Sequence, residues 1–290
     1  MLPKNLIKIK LIKKDFEKFS DRYFRKIISQ ENRLTMAMRY SFFGGGKRVR
    51  AILCKAIGMC FGCNNCNSDL IAFGMEAIHT YSLIHDDLPA MDNDSLRRGK
   101  KSCHVRFDEA TAILSGNALQ TLGIRAISEI KHVTSKQIKR ILLTLCDSIG
   151  FNGLMLGQQL DIMSKNNLNL NNIEENYKLK TGKVFSACVL LPFMLSPHSE
   201  NKNIEKALIN FSEYFGLAFQ IKDDLTDMCC IPEKTKENNK TETHIDIFGI
   251  KASQEHLKNL IHCALETLDK LDGFDTQTLH SVVYYVFNRK

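Results

Sequence analysis

Two groups of carboxylates could hold a cation. Asp86, Asp87, Asp92 and Asp94 fall within nine positions and are followed at once by Arg97 and Arg98, while Asp223, Asp224 and Asp227 form a second group far along the chain. Carboxylate oxygens are the donors that Mg²⁺ takes, and guanidinium forks match phosphate oxygens two at a time. Acids and bases packed this closely can also neutralise each other on a solvated face. Apolar runs lead into both groups, 78–84 into the first and 215–221 into the second, which argues for the ends of buried helices. Two such ends facing each other would cage metal ions that bridge to a diphosphate. A third polar stretch, Gly44-Gly45-Gly46-Lys47-Arg48-Val49-Arg50, sets three glycines beside three bases. Exposed backbone N–H groups and cations together suit an anion, although a turn with solvated bases explains these residues alone equally well.

The elements that must position these groups are helical almost throughout. Apolar residues recur at three- and four-residue spacing and predict helices over 15–30, 34–43, 51–61, 70–87, 110–129, 136–150, 151–163, 173–180, 184–195, 203–227, 256–271 and 276–287. Gly150 and Gly153 separate or kink one pair, Thr181-Gly182-Lys183 interrupts another, and Pro89 ends the helix that carries Asp86 and Asp87. Within the last acid group, Asp223 and Asp227 share a face and Asp224 points about 100° away. Gly157-Gln158-Gln159-Leu160-Asp161 sets polar groups into an apolar segment, where they need partners. His79 and His85 lie on the long apolar helix, where a histidine is commonly a satisfied core residue. There is no repeat and no linker, so 1–290 reads as one all-α domain, a single helical bundle.

The 290 residues allow a sizeable core, and 44% hydrophobic with 25% charged residues is ordinary for a soluble globular chain. Forty basic against 32 acidic residues leave a formal charge of +8, which fits an anionic partner without choosing among nucleic acid, membrane surface and phosphorylated metabolite. No nucleic-acid motif or aromatic-interleaved basic stretch is present. No apolar run is long enough to span a bilayer, and the first residues lack the core and cleavage site of a secretory signal. A cytoplasmic protein with reduced thiols is expected for its ten cysteines. Cys60, Cys63 and Cys66 invite an iron–sulfur or zinc site, but no fourth ligand follows at the usual spacing, and Gly62, Asn64, Asn65 and Asn67 read as an inter-helix turn.

In this order, Gly45-Gly46-Lys47-Arg48-x-Arg50, Ile78-His79-x-Tyr81-Ser82-Leu83-Ile84-His85-Asp86-Asp87, Asp92 with Arg97-Arg98, Cys103-His104, Gly157-Gln158, Lys180-Thr181-Gly182 and Phe219-Gln220-x-x-Asp223-Asp224-x-x-Asp227 resemble the trans-polyprenyl diphosphate synthases, most closely the bacterial members that make farnesyl diphosphate. The resemblance implies a helical bundle around a deep central cavity, and a prenyltransferase joining isopentenyl diphosphate to dimethylallyl or geranyl diphosphate, with Mg²⁺ as cofactor, three ions once diphosphate is bound, and a homodimer. Asp86, Asp87 and Asp92 would hold Mg²⁺ on one side of the allylic diphosphate, and Asp223, Asp224 and Asp227 on the other. Arg97 would meet that diphosphate. Lys47, Arg50, His79 and Arg98 would hold the diphosphate of isopentenyl diphosphate, and Lys180, Thr181 and Gln220 would line the reaction centre. Tyr81, five residues before Asp86, would floor the cavity that receives the growing chain, with Ser82 leaving room above it; a core aromatic with a satisfied hydroxyl is the plainer reading of Tyr81.

The chain departs from the family at three places. Ala51 replaces a common proline, a change of little expected consequence; Lys222 precedes the second acid group; and 228–242 is short and lacks glycine, so that Lys234, Lys236 or Lys240 would have to reach the diphosphate. The competing readings are a geranylgeranyl diphosphate synthase, a class I terpene cyclase or weakly active subunit of the same fold, and a basic nucleic-acid-binding protein. A cyclase needs no second diphosphate site, so Lys47, Arg50 and His79 favour the chain-elongating enzyme.

Overall fold

The computed structural model describes residues 3–165, 173–230 and 243–288. The polar stretch 166–172 and Lys234, Lys236 and Lys240 lie outside them. The described chain is all-α apart from one short hairpin. Helices α1 (Pro3–Ile27), α2 (Arg33–Phe42), α3 (Val49–Phe61) and α4 (Asn65–Asp86) lead to the hairpin β1 (Leu96–Arg97) and β2 (Lys100–Lys101). Then come α5 (Cys103–Arg106), α6 (Glu109–Ser128), α7 (Ser135–Ile149), α8 (Leu154–Lys165), α9 (Ile173–Tyr177), a π-helical turn (Lys178–Gly182), α10 (Lys183–Phe193), α11 (Lys202–Cys230), α12 (His244–Phe248), α13 (Ile250–Asp269) and α14 (Gln277–Phe287).

Five boundaries differ from expectation, each for a local reason. α4 starts at Asn65 rather than residue 70, because the Asn64 side chain accepts the Cys66 amide at 2.8 Å and caps the helix; Asn65 and Asn67 are therefore helical, and the turn between α3 and α4 is confined to 62–64. α1 starts at Pro3 rather than residue 15; proline is tolerated at a first helical position, and Ile9, Ile12, Phe16, Tyr23 and Phe24 give the helix one buried stripe. α11 runs on to Cys230, so Asp223 to Asp227 lie inside its final turns rather than at its end; the first glycine or proline after Asp227 is Pro232, so nothing in the sequence stops the helix at the acid group itself. Thr181 and Gly182 do not break the chain's helical course. They widen it into the π-turn, in which Lys183 N–H reaches back five residues to the Lys178 carbonyl. α13 starts at Ile250 rather than 256, immediately after Gly249.

The buried apolar residues form one continuous core from α1 to α14. Phe24, Phe42 and Phe73 pack their rings tilted or edge-on at 5.0 to 5.5 Å between α1, α2 and α4. α4 packs most extensively on α6, and α3 and α10 cover its other flanks. Lys222 bonds the Val286 and Phe287 carbonyls at 2.8 and 2.7 Å, which caps α14 against α11. The segment Ser135–Ser164 is, among the described residues, the one stretch long and apolar enough to cross a membrane by length and composition, with a mean hydropathy of 1.2. It is two helices, α7 and α8, with a turn at Gly150–Gly153 between them.

Candidate active site

The first acid group sits where α4 stops. Asp86 is its last residue and Asp87 its C-cap, and the Asp92 amide donates to the Asp86 carbonyl at 2.9 Å, folding the loop back over the helix end. Burial pushes the Asp86 carboxyl up to about 7; Lys180 opposes the shift and Asp92 adds to it. Burial also holds Asp87 above its usual range, although Arg97 lies against it. Arg97 donates Nε to Asp87 at 2.8 Å, pairs with the same carboxylate through Nη2, and reaches Asp94 at 3.2 Å.

The Gly-Gly-Lys stretch wraps onto the same helix. Gly45 and Gly46 have φ of 108° and 114°, a region that favours glycine. A Cβ on Gly46 would stand 2.8 Å from the Arg98 guanidinium carbon, so the bare backbone lets Arg98 lie flat on this turn and donate to the Gly45 carbonyl at 2.5 Å. Lys47 is exposed. Arg48 turns inward: it is 4% exposed and bonds the Phe42 carbonyl at 2.6 Å and Glu76 at 3.5 Å. Glu76 in turn accepts the Ala51 amide at 3.2 Å. Ala51 therefore has a use that a proline, with no N–H, could not supply.

The π-turn presents Lys180 and Thr181. Lys180 donates to Asp161 on α8 at 2.6 Å. Burial works against its ammonium, but Asp161 and Asp86 outweigh that and leave its pKa above the ordinary lysine value. Thr181 donates to Gln220 on α11 at 3.0 Å, and the Gln220 amide donates to Asp224 at 3.2 Å. Two glycines admit the turn: a Cβ on Gly157 of α8 would lie 2.3 Å from the Lys180 nitrogen, and one on Gly216 of α11 would lie 2.8 Å from the Gly182 Cα.

In the second acid group, burial pushes Asp223 up to about 6; Asp227 adds to the shift, and Lys47 and Arg50 oppose it. Asp224 faces away, as the 100° offset predicts, and accepts from Tyr177 Oη at 2.6 Å and from the His244 amide at 3.4 Å. Asp227 is exposed. Arg50 sits 3.3 Å from His79 Nε2 on α4 and over the Phe185 ring at 4.7 Å. Burial and then Arg50 and Arg98 drive the His79 pKa well below its ordinary value, so the imidazole is neutral. The two acid groups are thus joined on two sides, through Lys180, Thr181 and Gln220, and through Arg50 and His79. Farther from the acids, Tyr81 is 5% exposed, edge-on to His85 at 5.6 Å, and Ser82 bonds back to the His79 carbonyl at 3.0 Å.

Residues 31–270 match the polyprenyl synthetase family. The chain belongs to that family. It is similar to a farnesyl diphosphate synthase of Haemophilus influenzae, 37% identical over 94% of each chain. Among solved structures, a geranyltransferase from Legionella pneumophila superposes with a TM-score of 0.89 at 31% identity, covering 99% of this chain and 98% of that one. A geranyltransferase from Helicobacter pylori, complexed with magnesium and isoprenyl diphosphate, gives 0.86 at 28% identity, covering 100% and 99%.

In this polyprenyl synthetase the sequence reading missed several residues that hold the site. Asp161 anchors Lys180, Tyr177 holds Asp224, and Glu76 fastens the Gly-Gly-Lys turn. Only Asp161 carried a signal, as a carboxylate inside an apolar helix. The unbonded Gln158 amide, buried beside it, carried the same one. Tyr177 and Glu76 meet their partners across 47 and 28 or fewer residues of chain, which no local pattern reports.

Proposed function

We propose that this synthetase condenses isopentenyl diphosphate with dimethylallyl and then geranyl diphosphate and releases farnesyl diphosphate. The observation that carries the reading is the pair of faces between the acid groups: one bordered by Asp86, Lys180 and Asp223, and a second made cationic by Lys47, Arg50 and Arg98 with the neutral His79 bonded to Arg50. The relatives named farnesyl diphosphate synthase support the product.

Mg²⁺ fits the two carboxylate groups. Their donors are hard oxygens, and the upward shifts of Asp86 and Asp223, partly from neighbouring carboxylates, mark negative charge that a cation would relieve. Asp86, Asp87 and Asp92 would hold it on one side and Asp223, Asp224 and Asp227 on the other, three ions with diphosphate present. Arg97 shares Asp87, and Tyr177 shares Asp224. When bound, the metal supplies positive charge to the departing diphosphate.

In the reaction, the allylic C–O bond breaks and its electron pair leaves on the diphosphate, where the Lys180 ammonium and Arg97 balance the growing charge. Arg50, His79, Lys47 and Arg98 hold the isopentenyl diphosphate so that its double bond can form the new bond to the allylic carbon. Thr181 and Gln220, locked to each other, wall this centre from water. The proton shed in the last step goes to the released diphosphate, so no protein base is required. Tyr81 stands on α4 where the lengthening chain would meet it.

We infer further that one domain does all of this, that the enzyme is a cytoplasmic homodimer, and that α6, α7 and α8 supply the interface. Leu114, Leu143 and Phe151 on and between these helices are 58%, 55% and 80% exposed, a density of bare apolar groups that suits a subunit contact. The assay is purified protein with isopentenyl and dimethylallyl diphosphates and Mg²⁺, followed by product chromatography. Fifteen-carbon product that disappears in excess chelator is expected. No elongation at all, elongation that survives the chelator, or an end product of twenty carbons would each overturn part of the assignment.

A further inference from the structure

Behind Asp224 lies a second group of metal donors that the condensation does not use. Glu174 on α9, His244 at the start of α12 and His256 on α13 bring one ligand atom each to within 4.8 Å of the others. His244 Nε2 stands 3.2 Å from His256 Nδ1, and the Glu174 carboxylate lies 3.8 and 3.7 Å from those two nitrogens. Three ligands on one tetrahedral zinc, with bonds of about 2.0–2.1 Å, stand roughly 3.4 Å apart, and the three observed separations bracket that value.

The outer contacts set the ring for ligation. Ser253 Oγ bonds the Gly249 carbonyl at 2.8 Å and His244 Nδ1 at 2.8 Å. A hydroxyl has one hydrogen; given to the carbonyl, it leaves Ser253 to accept from Nδ1–H. His244 Nε2 then carries the lone pair, aimed at His256 and Glu174. Phe248 covers the His244 ring at 4.5 Å. A His256-to-His244 hydrogen bond alone would satisfy two of the three groups. It would leave the Glu174 carboxylate facing both nitrogens beyond hydrogen-bond distance. Side-chain exposures of 3% for His244 against 32% and 34% for Glu174 and His256 give the group a closed back and an open front, where an ion enters and water completes the shell.

We propose that Glu174, His244 and His256 form a binding site for a divalent transition ion of the zinc class, separate from the aspartates that take Mg²⁺. Two imidazoles and one carboxylate select such an ion over Mg²⁺, which keeps to oxygen. The ion would clamp α9, α12 and α13 together. α9 runs straight into the π-turn that carries Lys180, and the His244 amide and Tyr177 both bond Asp224, so the clamp would brace the second acid group from behind.

The test uses the full chain, stripped with chelator and returned to buffer with millimolar Mg²⁺ to fill the aspartates. Zn²⁺ is titrated against a chromophoric competitor, and Co²⁺ is followed by its visible spectrum. Wild type should bind one equivalent that His256→Ala and Glu174→Gln each weaken at least about tenfold, and Zn²⁺ should raise the melting temperature of wild type but of neither variant. Both residues are partly exposed, and metal-free melting checks that the variants fold. Equal stoichiometry and affinity in all three proteins would overturn the proposal and assign any bound zinc to thiols or aspartates. A Co²⁺ spectrum with thiolate charge-transfer bands in wild type would do the same.

Discussion

Asp86 shows how little room a single carboxylate has here. Its pKa is raised in the fold to about 7 from an ordinary value near 4 in the unfolded chain, so between those values the folded protein holds more protons. The associated stability is full below about pH 4 and is lost as pH rises through about 7. In chelator, Asp86→Asn should therefore melt increasingly above wild type as pH goes from 5 to 8, by scanning calorimetry; a constant gap would mean that burial does not set this pKa. With Mg²⁺ the same substitution should cost at least ~10³-fold in turnover. Arg50 offers a second test. Because it pairs with neutral His79 rather than with an acid, its charge is available to a diphosphate. Arg50→Ala should raise the KM for isopentenyl diphosphate at least about tenfold and that for the allylic substrate much less; equal rises would contradict the division of the two faces. Both acid groups and Arg50 were legible as residue types in order. Arg48 was not, because a buried arginine and an exposed one look alike in a string of bases.

At the scale of elements, the two glycine contacts at the π-turn are as decisive as the polar groups. Gly157→Ala forces a methyl group to within 2.3 Å of the Lys180 nitrogen. Either α8 or the turn must move, at a cost of about 1–3 kcal/mol, and turnover should fall well beyond the effect of the lost stability. Full kcat with an unchanged melting temperature would show that the turn tolerates displacement. On α4, Tyr81→Ala removes a ring that is almost wholly buried. The cavity it leaves can be filled by another isoprene unit, each added methylene favouring burial by about 0.8 kcal/mol. Product should shift towards twenty carbons in chromatography; an active variant confined to fifteen would move the floor to α6, around Ala118 and Leu122. Most helices were readable because an apolar stripe at 3.6-residue spacing survives any neighbour. The hairpin at Leu96–Arg97 and Lys100–Lys101 has only two residues per strand, too few for alternation to show. The π-turn looked like a break, since Thr181 and Gly182 are poor helix formers and only contacts from α8 and α11 hold them helical.

For the whole molecule, one continuous core and a strip of exposed apolar residues point in different directions. The core closes around α4 and α10, yet Phe151 stands 80% exposed between α7 and α8. In the proposed dimer these side chains would meet their copies; in the single chain they face water. Phe151→Glu should weaken self-association, read by sedimentation velocity at micromolar concentration, and lower the melting temperature in a concentration-dependent way. A wild-type monomer at that concentration would remove the interface altogether. The sequence announced an all-α architecture through periodicity and the absence of strand-like runs, but not which apolar faces turn outward. A stripe that meets a partner and a stripe that meets the core have the same composition.

The five-residue reach from Lys183 back to Lys178 has a genetic corollary. A wide turn of this kind is an α-helix with one residue too many. Losing a single codon between Tyr177 and Lys183 would let the chain close an ordinary helix from α9 into α10. The resulting stretch of backbone would be more regular than the original, and its local hydrogen bonding at least as good. The short helix α9, joined directly to the turn, would be rotated by about 100° relative to α10, so that Tyr177 would no longer meet Asp224. Such an in-frame lesion would strike the brace behind the second acid group while leaving the local backbone hydrogen bonding intact, a class of allele expected to lose turnover before it loses helix content by circular dichroism.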